Sequence, residues 1–323
     1  MKMKGILMLL VIALISVTAF SAVPEIAVVV KITGIPWFNR LEEGVLRAAE
    51  ELNVNAYQVG PTDADPAQQV KIVEDLIAKD VDAICVVPND ANAMEPVLKK
   101  AREKGIIVLT HESPNQKNAD WDIEVIDNIA FGEKNFETLA QGMGGEGEFA
   151  VFVGSLTVPL HNLWADIGLE MVKEKYPNMK LVTDRIPCGE DVNLSKQKMQ
   201  ELLRKYPDIK GVVGFGSLGP IGAAQALKEK RLMDKVTVVG TVLPLHAAQY
   251  LREGYIDTGY LWDPADAGYA MVYVSKMLAN DFFVFEGMAV PGMGTAEIDE
   301  DNRIIKFNSI LEITSENALD LGF

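Results

Sequence analysis

The chain has 323 residues, with 46 Asp and Glu against 30 Lys and Arg and a formal net charge of -16 at pH 7. That acidic balance excludes a nucleic-acid binder, which needs a basic face to meet phosphates. The two cysteines, Cys85 and Cys188, are far apart and lack metal-ligand spacing, so neither a disulfide nor a metal site is expected. The first residues, Met1-Lys2-Met3-Lys4, precede an apolar run from Ile6 to Ala19 and small residues at Ser21 and Ala22. This is the layout of a secretory signal peptide, and residues 1–22 are expected to be removed. The apolar run is shorter than the roughly 20 residues of a spanning helix. About 300 residues then remain, enough for two domains with full cores.

From Pro24 onward, short β-branched runs alternate with amphipathic stretches, the pattern of parallel sheets covered by helices. Strands are expected at 26–30, 55–59, 83–87 and 106–110. Between them Leu41, Val45, Ala49 and Leu52 share one helical face, and Val70, Val73, Leu76 and Ile77 share another. Gly105 suits the end of the third helix. Residues 131–147 read as the first helix of a second lobe with its exit loop. The rhythm restarts with strands at 148–154, 181–186, 211–215 and 236–240, and helices near 162–174, 195–206, 221–230 and 245–252. A strand at 258–262 and a helix at 265–278 follow, with a weaker strand pattern at 303–307. The fold class is therefore α/β, two doubly wound parallel-sheet lobes. The expected division is 24–127 plus 263–290 for the first lobe and 128–262 plus 291–323 for the second.

In an open parallel sheet, ligands sit beyond the carboxyl ends of strands. That rule picks 31–38, Asn89, Asp90, His111, Glu112, 155–162, 215–217, Thr241, Val242, Trp262 and Asp263. From these the candidate ligand-binding residues are Lys31, Trp37, Phe38, Asn89, His111, Glu112, His161, Asn162, Ser217, Val242, Trp262 and Asp263, with Trp164 as a further aromatic. Aromatic rings beside carboxylates and amides suit a sugar, which offers C–H faces for stacking and hydroxyls that both donate and accept. Other roles stay open. Trp37 and Phe38 equally suit a helix–sheet interface, Glu112 a helix cap, and Asp263, before Pro264, the cap of the next helix.

Signatures of catalysis are missing from the sequence. It has three histidines, His111, His161 and His246, with no HExxH pattern, and no GxSxG elbow, GxxxxGK[ST] loop or GxGxxG after the first strand. No enzyme, cofactor or metal is expected.

Several segments carry a family resemblance: KITGIPWF at 31–38, GPTDAD at 60–65 with Gln68 and Gln69, VPND at 87–90, GIIVLT at 105–110, AAQA at 223–226 and LWDP at 261–264. In their order and spacing the chain resembles the periplasmic-binding-protein superfamily of the ribose-binding type, in the branch of rhamnose- and autoinducer-2-binding proteins. The resemblance implies two lobes joined by a three-strand hinge, a small ligand held between them, and delivery to an ABC permease in the membrane. It matches Lys31 to the family lysine, Trp37 and Phe38 to stacking aromatics, and Asp263 to the polar position after the last crossing strand. Glu112 stands where relatives usually carry aspartate, and His111 where this branch often carries tryptophan. Leu160 and His161 replace the Asp-Gln pair of the autoinducer-2 pattern. Asn162 and the Gly216-Ser217 pair replace the arginine and Asn-Asp pair of ribose binders. The implied ligand is a monosaccharide, a deoxy sugar or a related polyol, bridged by Lys31 and Glu112 on one lobe and His161, Asn162 and Ser217 on the other. A monomeric extracytoplasmic importer component is expected; the alternative is a sensory protein presenting its ligand to a chemoreceptor or sensor kinase.

Overall fold

A computed structural model describes residues 23–323; the expected leader at 1–22 lies outside the described residues. The first half runs β1 (Glu25–Val29), α1 (Pro36–Leu52), β2 (Asn55–Val59), α2 (Pro66–Lys79), β3 (Ala83–Val86), α3 (Ala91–Glu103), β4 (Ile107–His111) and β5 (Trp121–Glu124). A proline in the first turn starts α1, where a missing N–H costs nothing, and Asn53 ends it at φ 52. The Asp65 carboxylate accepts from the backbone N–H groups of Ala67 and Gln68 to cap α2, and Asp90 caps α3 through Ala93.

The second half runs α4 (Asn128–Met143), β6 (Glu146–Val153), α5 (Pro159–Lys175), β7 (Asn178–Leu181), β8 (Ile186–Pro187), α6 (Val192–Lys205), β9 (Ile209–Gly214), α7 (Gly219–Lys230), β10 (Thr237–Thr241), α8 (Pro244–Arg252) and β11 (Thr258–Leu261). The chain then forms α9 (Pro264–Ala279), a small hairpin of β12 (Ala289–Val290) and β13 (Gly294–Thr295), and β14 (Glu297–Asp299), β15 (Ile304–Lys306) and β16 (Leu311–Ile313).

These strands build two sheets, in the orders β14-β15-β5-β4-β3-β1-β2 and β16-β11-β10-β9-β6-β7, with β8 beside β6. The first is parallel apart from β14 against β15, and the second apart from β16 against β11. Each central strand is buried on both faces. In the first lobe Ala27, Val29, Ile84 and Val86 pack toward Val73, Leu76, Met94 and Leu98 of α2 and α3. Ile26, Val28 and Cys85 belong to the cluster holding Leu41 and Val45 of α1 and Ala270 of α9. Continuous apolar runs therefore mark these strands, as a sheet covered on both sides requires. Cys85 and Cys188 are both buried and free.

The expected strand at 181–186 falls between β7 and β8, and two further departures bear on the layout of the lobes. Strand β5 was not anticipated, because its sequence WDIE carries Asp122 and Glu124, which are only 3% and 2% exposed. The expected boundary also gave 291–323 to the second lobe. Instead β15 pairs in parallel with β5, and β14 pairs with β15, so this stretch extends the first sheet. Only β16 returns to the second sheet. The physical reason is the free edge of β5, whose backbone groups need partners.

The chain thus passes between lobes three times: after β5, after β11 and after β15. The first and third passages pair through hydrogen bonds from Phe307 N–H to the Glu124 carbonyl (2.8 Å) and from Ser309 N–H to the Val125 carbonyl (3.0 Å). After the second passage, α9 lies against α1 so closely that a methyl group at Gly44 would sit 1.8 Å from the Ala265 carbonyl oxygen, and one at Gly268 would sit 2.2 Å from that of Leu41. Replacing Gly44 with Ala must push backbone against backbone. Gly44→Ala should lower unfolding stability by about 1–3 kcal/mol, read as a reduced midpoint in chemical denaturation; an unchanged midpoint would contradict this packing.

Candidate ligand-binding site

The carboxyl ends of β1 and β3 are tied together by two buried amides. The Gln69 amide donates to the carbonyls of Val30 (3.1 Å) and Val87 (2.8 Å), while its oxygen accepts from Asn89 N–H (2.9 Å). The Asn89 side chain in turn donates to the Lys31 carbonyl at 2.7 Å. This lattice fixes Lys31, 2% exposed, at the end of a buried strand. Its ammonium donates to Oε2 of Glu112, which follows β4 in the left-handed region at φ 60. Both side chains of this ion pair are out of solvent, so each depends on the other for its charge to be tolerated.

Around the pair stand four large rings. Proline at the start of α1 sets Trp37 and Phe38 on its first turn, both buried. Trp37 meets Trp262 edge-on at 5.1 Å between centroids, and Trp262 meets Trp164 of α5 at 5.8 Å. Trp164 donates from Nε1 to Asn128 at 2.8 Å. Nε1 of Trp262 and Oγ1 of Thr241, both buried, have no hydrogen-bond partner among the described residues.

The second lobe contributes His161, stacked on Trp164 at 5.8 Å. Its Nδ1 accepts from Gly154 N–H at 3.1 Å, which assigns the ring proton to Nε2 in the neutral tautomer. Burial, and then the nearby Lys31 charge, hold the His161 pKa well below its ordinary range. Opposite lies Glu190, reached through the loop after β8 and itself left-handed at φ 52. Its Oε1 is 3.8 Å from His161 Nδ1. The carboxyl fits only because two neighbours lack side chains: a methyl group at Gly154 would lie 2.6 Å from Oε1, and one at Gly216 would lie 2.9 Å from Oε2. Burial pushes the Glu190 carboxyl up to about 7, Lys31 draws it back down, and Glu112 adds to the rise.

Together Lys31, Trp37, Phe38, Glu112, His161, Trp164, Glu190, Ser217, Thr241 and Trp262 line one cavity, with Ile35 and Gly216, enclosing about 300 Å³ of space out to its mouth. Seven of the twelve candidate residues named from sequence meet here: Lys31, Trp37, Phe38, Glu112, His161, Ser217 and Trp262.

The other five lie outside the lining. Asn89 holds the strand ends, as described. His111 is buried behind the wall, with Nδ1 at 2.6 Å from the Ile123 carbonyl and its ring edge-on to Trp262. Asn162 braces the start of α5, donating to the carbonyls of Ser155 (3.0 Å) and Val158 (2.8 Å) and accepting from Arg185 (3.0 Å). Val242 packs against Gly259, and its neighbour Thr241 takes the cavity position. Asp263 caps α9 through Ala265 N–H (2.9 Å) and receives both Nε (2.9 Å) and Nη2 (2.6 Å) of Arg40. Its cap role, left open by the sequence, is the one the structure gives it.

Glu190 was missed altogether. The strand-end rule, applied past 181–186, would have reached it, but the signal there is a Gly-Glu-Asp loop that looks like an ordinary approach to the α6 cap at Asp191. One direct hydrogen bond also closes the lobes on each other: Thr157 Oγ1 donates to the Asn89 carbonyl at 3.0 Å.

Residues 26–281 match the family model described as a periplasmic binding protein domain. The chain belongs to the periplasmic binding protein family. Among curated relatives, the D-allose-binding periplasmic protein of Escherichia coli is 28% identical over 265 residues, covering 79% of this chain and 84% of that protein. Two solved structures show the same fold at 22% identity. LsrB from Clostridium saccharobutylicum in complex with AI-2 superposes with a TM-score of 0.86, covering 93% of this chain and 100% of the other. A solute-binding protein from Clostridium phytofermentas with bound L-rhamnose superposes with a TM-score of 0.85, covering 93% and 98%.

In this periplasmic binding protein the Gln69 lattice holds the strand ends beneath Lys31. Gln69→Leu keeps the volume but strands two carbonyls and one N–H in the interior, each costing about 1–3 kcal/mol. A drop of several kcal/mol in unfolding free energy by denaturant titration is the expected result, and a loss below 1 kcal/mol would remove Gln69 from this role.

Proposed function

We propose that the chain is the solute-binding component of an ABC importer, and that it captures a small sugar or sugar-like polyol between its lobes without chemically altering it. The observation that carries this reading is the meeting of Lys31 and Glu112 from one lobe with His161, Glu190 and Ser217 from the other, inside a ring of Trp37, Phe38, Trp164 and Trp262. A sugar ring matches that surface on both counts. Its C–H faces pack on indole and phenyl rings, and its hydroxyls bridge donors such as Lys31 and acceptors such as Glu112. The unpartnered Trp262 N–H and Thr241 hydroxyl add two polar groups beside the cavity. The space among these rings is small and bounded on several sides by indoles and phenyl rings, which favours a single ring over an oligosaccharide. The named ligands of its relatives, D-allose, L-rhamnose and AI-2, are all small hydroxylated molecules.

Capture proceeds by closure of the lobes about the three passages, which expels water and strengthens each hydrogen bond in the cleft. The loaded form then meets a membrane permease from the extracytoplasmic side, where the expected leader would direct the chain. Among the described residues no helix is long and apolar enough to cross a membrane.

Calorimetric titration with a panel headed by D-allose and L-rhamnose tests this reading. Binding of at least one monosaccharide, deoxy sugar or polyol is expected, and silence across the panel would overturn it. Glu112→Ala should weaken that binding by about 1–3 kcal/mol, as loss of a charged acceptor implies. An unaltered affinity would take Glu112 out of the ligand's reach.

A further inference from the structure

We propose that Glu190 sets the specificity of the cleft for an uncharged hydroxylated ligand, and that its carboxylate takes up one proton from solvent as the lobes close. The inference rests on the reading of the cleft as a sugar site and adds to it the protonation state in which that site operates.

The argument begins with the charges that face Glu190. From the first lobe come Lys31, after β1, and Glu112, after β4; these two are committed to each other through a buried charged hydrogen bond. From α5 comes His161, whose Nδ1 lone pair already accepts from Gly154 and which is held neutral by burial. On its own loop, Asp191 turns away to cap α6 through Leu194 N–H at 2.6 Å, and the Cys188 thiol is pushed up to about 12 by burial. Glu190 is therefore a second carboxylate in a compartment whose one cation is already paired.

Its surroundings supply only the partial, already shared attraction of Lys31. The residue is 8% exposed, lines the cavity, and has no side-chain hydrogen bond among the described residues. The carboxyl occupies the space that side chains at positions 154 and 216 would otherwise fill. Burying an unpaired carboxylate is costly, and a group so placed neutralises instead. The rise of its pKa to about 7 from burial agrees with this geometry.

When the lobes part, the first-lobe wall leaves, water reaches the carboxyl, and the ordinary carboxylate range returns. Closure thus raises the proton affinity of Glu190, and binding is favoured below the closed-state value and weakened as pH rises through it. As the neutral acid, Glu190 offers an O–H donor to a ligand oxygen, while Glu112 offers an acceptor and Lys31 a donor. The enclosed charges then sum to zero. A sugar acid would enter as an unpaired anion and is rejected for the same reason that Glu190 must be protonated.

The test is calorimetry with D-allose or L-rhamnose as probe at pH 6, in two buffers of different ionisation enthalpy, repeated across pH. The expected result is uptake of close to one proton per ligand at pH 6. Affinity should fall about tenfold per pH unit between roughly pH 5 and pH 7, then level off. Glu190→Gln, which keeps the shape and the donor but cannot titrate, should abolish both the uptake and the slope. Binding with the same enthalpy in both buffers overturns the proposal, and so does a slope that survives in Glu190→Gln. If that variant does not fold, the proton count of the unaltered protein decides alone. Absence of binding by every sugar, in contrast, defeats the sugar reading itself and this inference with it.

Discussion

The ion pair between Lys31 and Glu112 is the constraint around which the cleft is arranged. Two charges stripped of water at the ends of β1 and β4 are tolerable only if they meet and if the strand ends that carry them do not drift. The Gln69 and Asn89 amides fix the Lys31 side of the pair by consuming backbone groups that β1 and β3 leave unpaired where they end. The left-handed backbone at Glu112 turns its carboxylate back over the sheet. Aromatic walls then lower the polarity around the pair, which raises the value of every additional hydrogen bond a guest could form there. Stability and recognition are in this sense one arrangement: the groups that make the interior expensive are those a hydroxylated ring would satisfy.

Much of this was legible before any coordinates. Apolar runs such as IAVVV and AICVV, alternating with amphipathic segments, read as strands covered on both faces, and they place Lys31 and Asn89 at strand ends. The aromatic pair after Pro36 follows from the same logic, since a proline in the first helical turn fixes which residues face the sheet edge. Family resemblance agreed with those positions and with the matched domain spanning 26–281.

What stayed hidden had physical causes. Asp263 and Asn162 carry the right chemistry at the right chain position, yet nearer partners claim them: Arg40 and the α9 terminus for one, carbonyls at the start of α5 for the other. Short polar side chains choose their closest unsatisfied backbone group, and sequence position does not reveal which is closest. Between Thr241 and Val242 the choice depends on strand alternation at the last residue of β10, where a shift of one position exchanges the two faces. The strand-end rule could reach Glu190, but the room for its carboxyl in the cavity depends on two glycines, at 154 and 216, that belong to other loops. Strand β5 escaped because its buried residues are acidic, reversing the usual pattern.

The return of the chain to its first sheet has an implication for biogenesis. Helix α9 covers α1, and β15 closes the edge at β5, although both come after α4 to β11 of the second lobe in the chain. An emerging polypeptide stopped near residue 262 would hold a second α/β layer that lacks only its edge strand β16, but a first one with an open flank and an uncovered apolar face. Native pairings so distant along the chain form slowly, so such an intermediate would persist in need of protection from aggregation, and the segment from α9 to the C-terminus acts as the latch that ends that vulnerable interval.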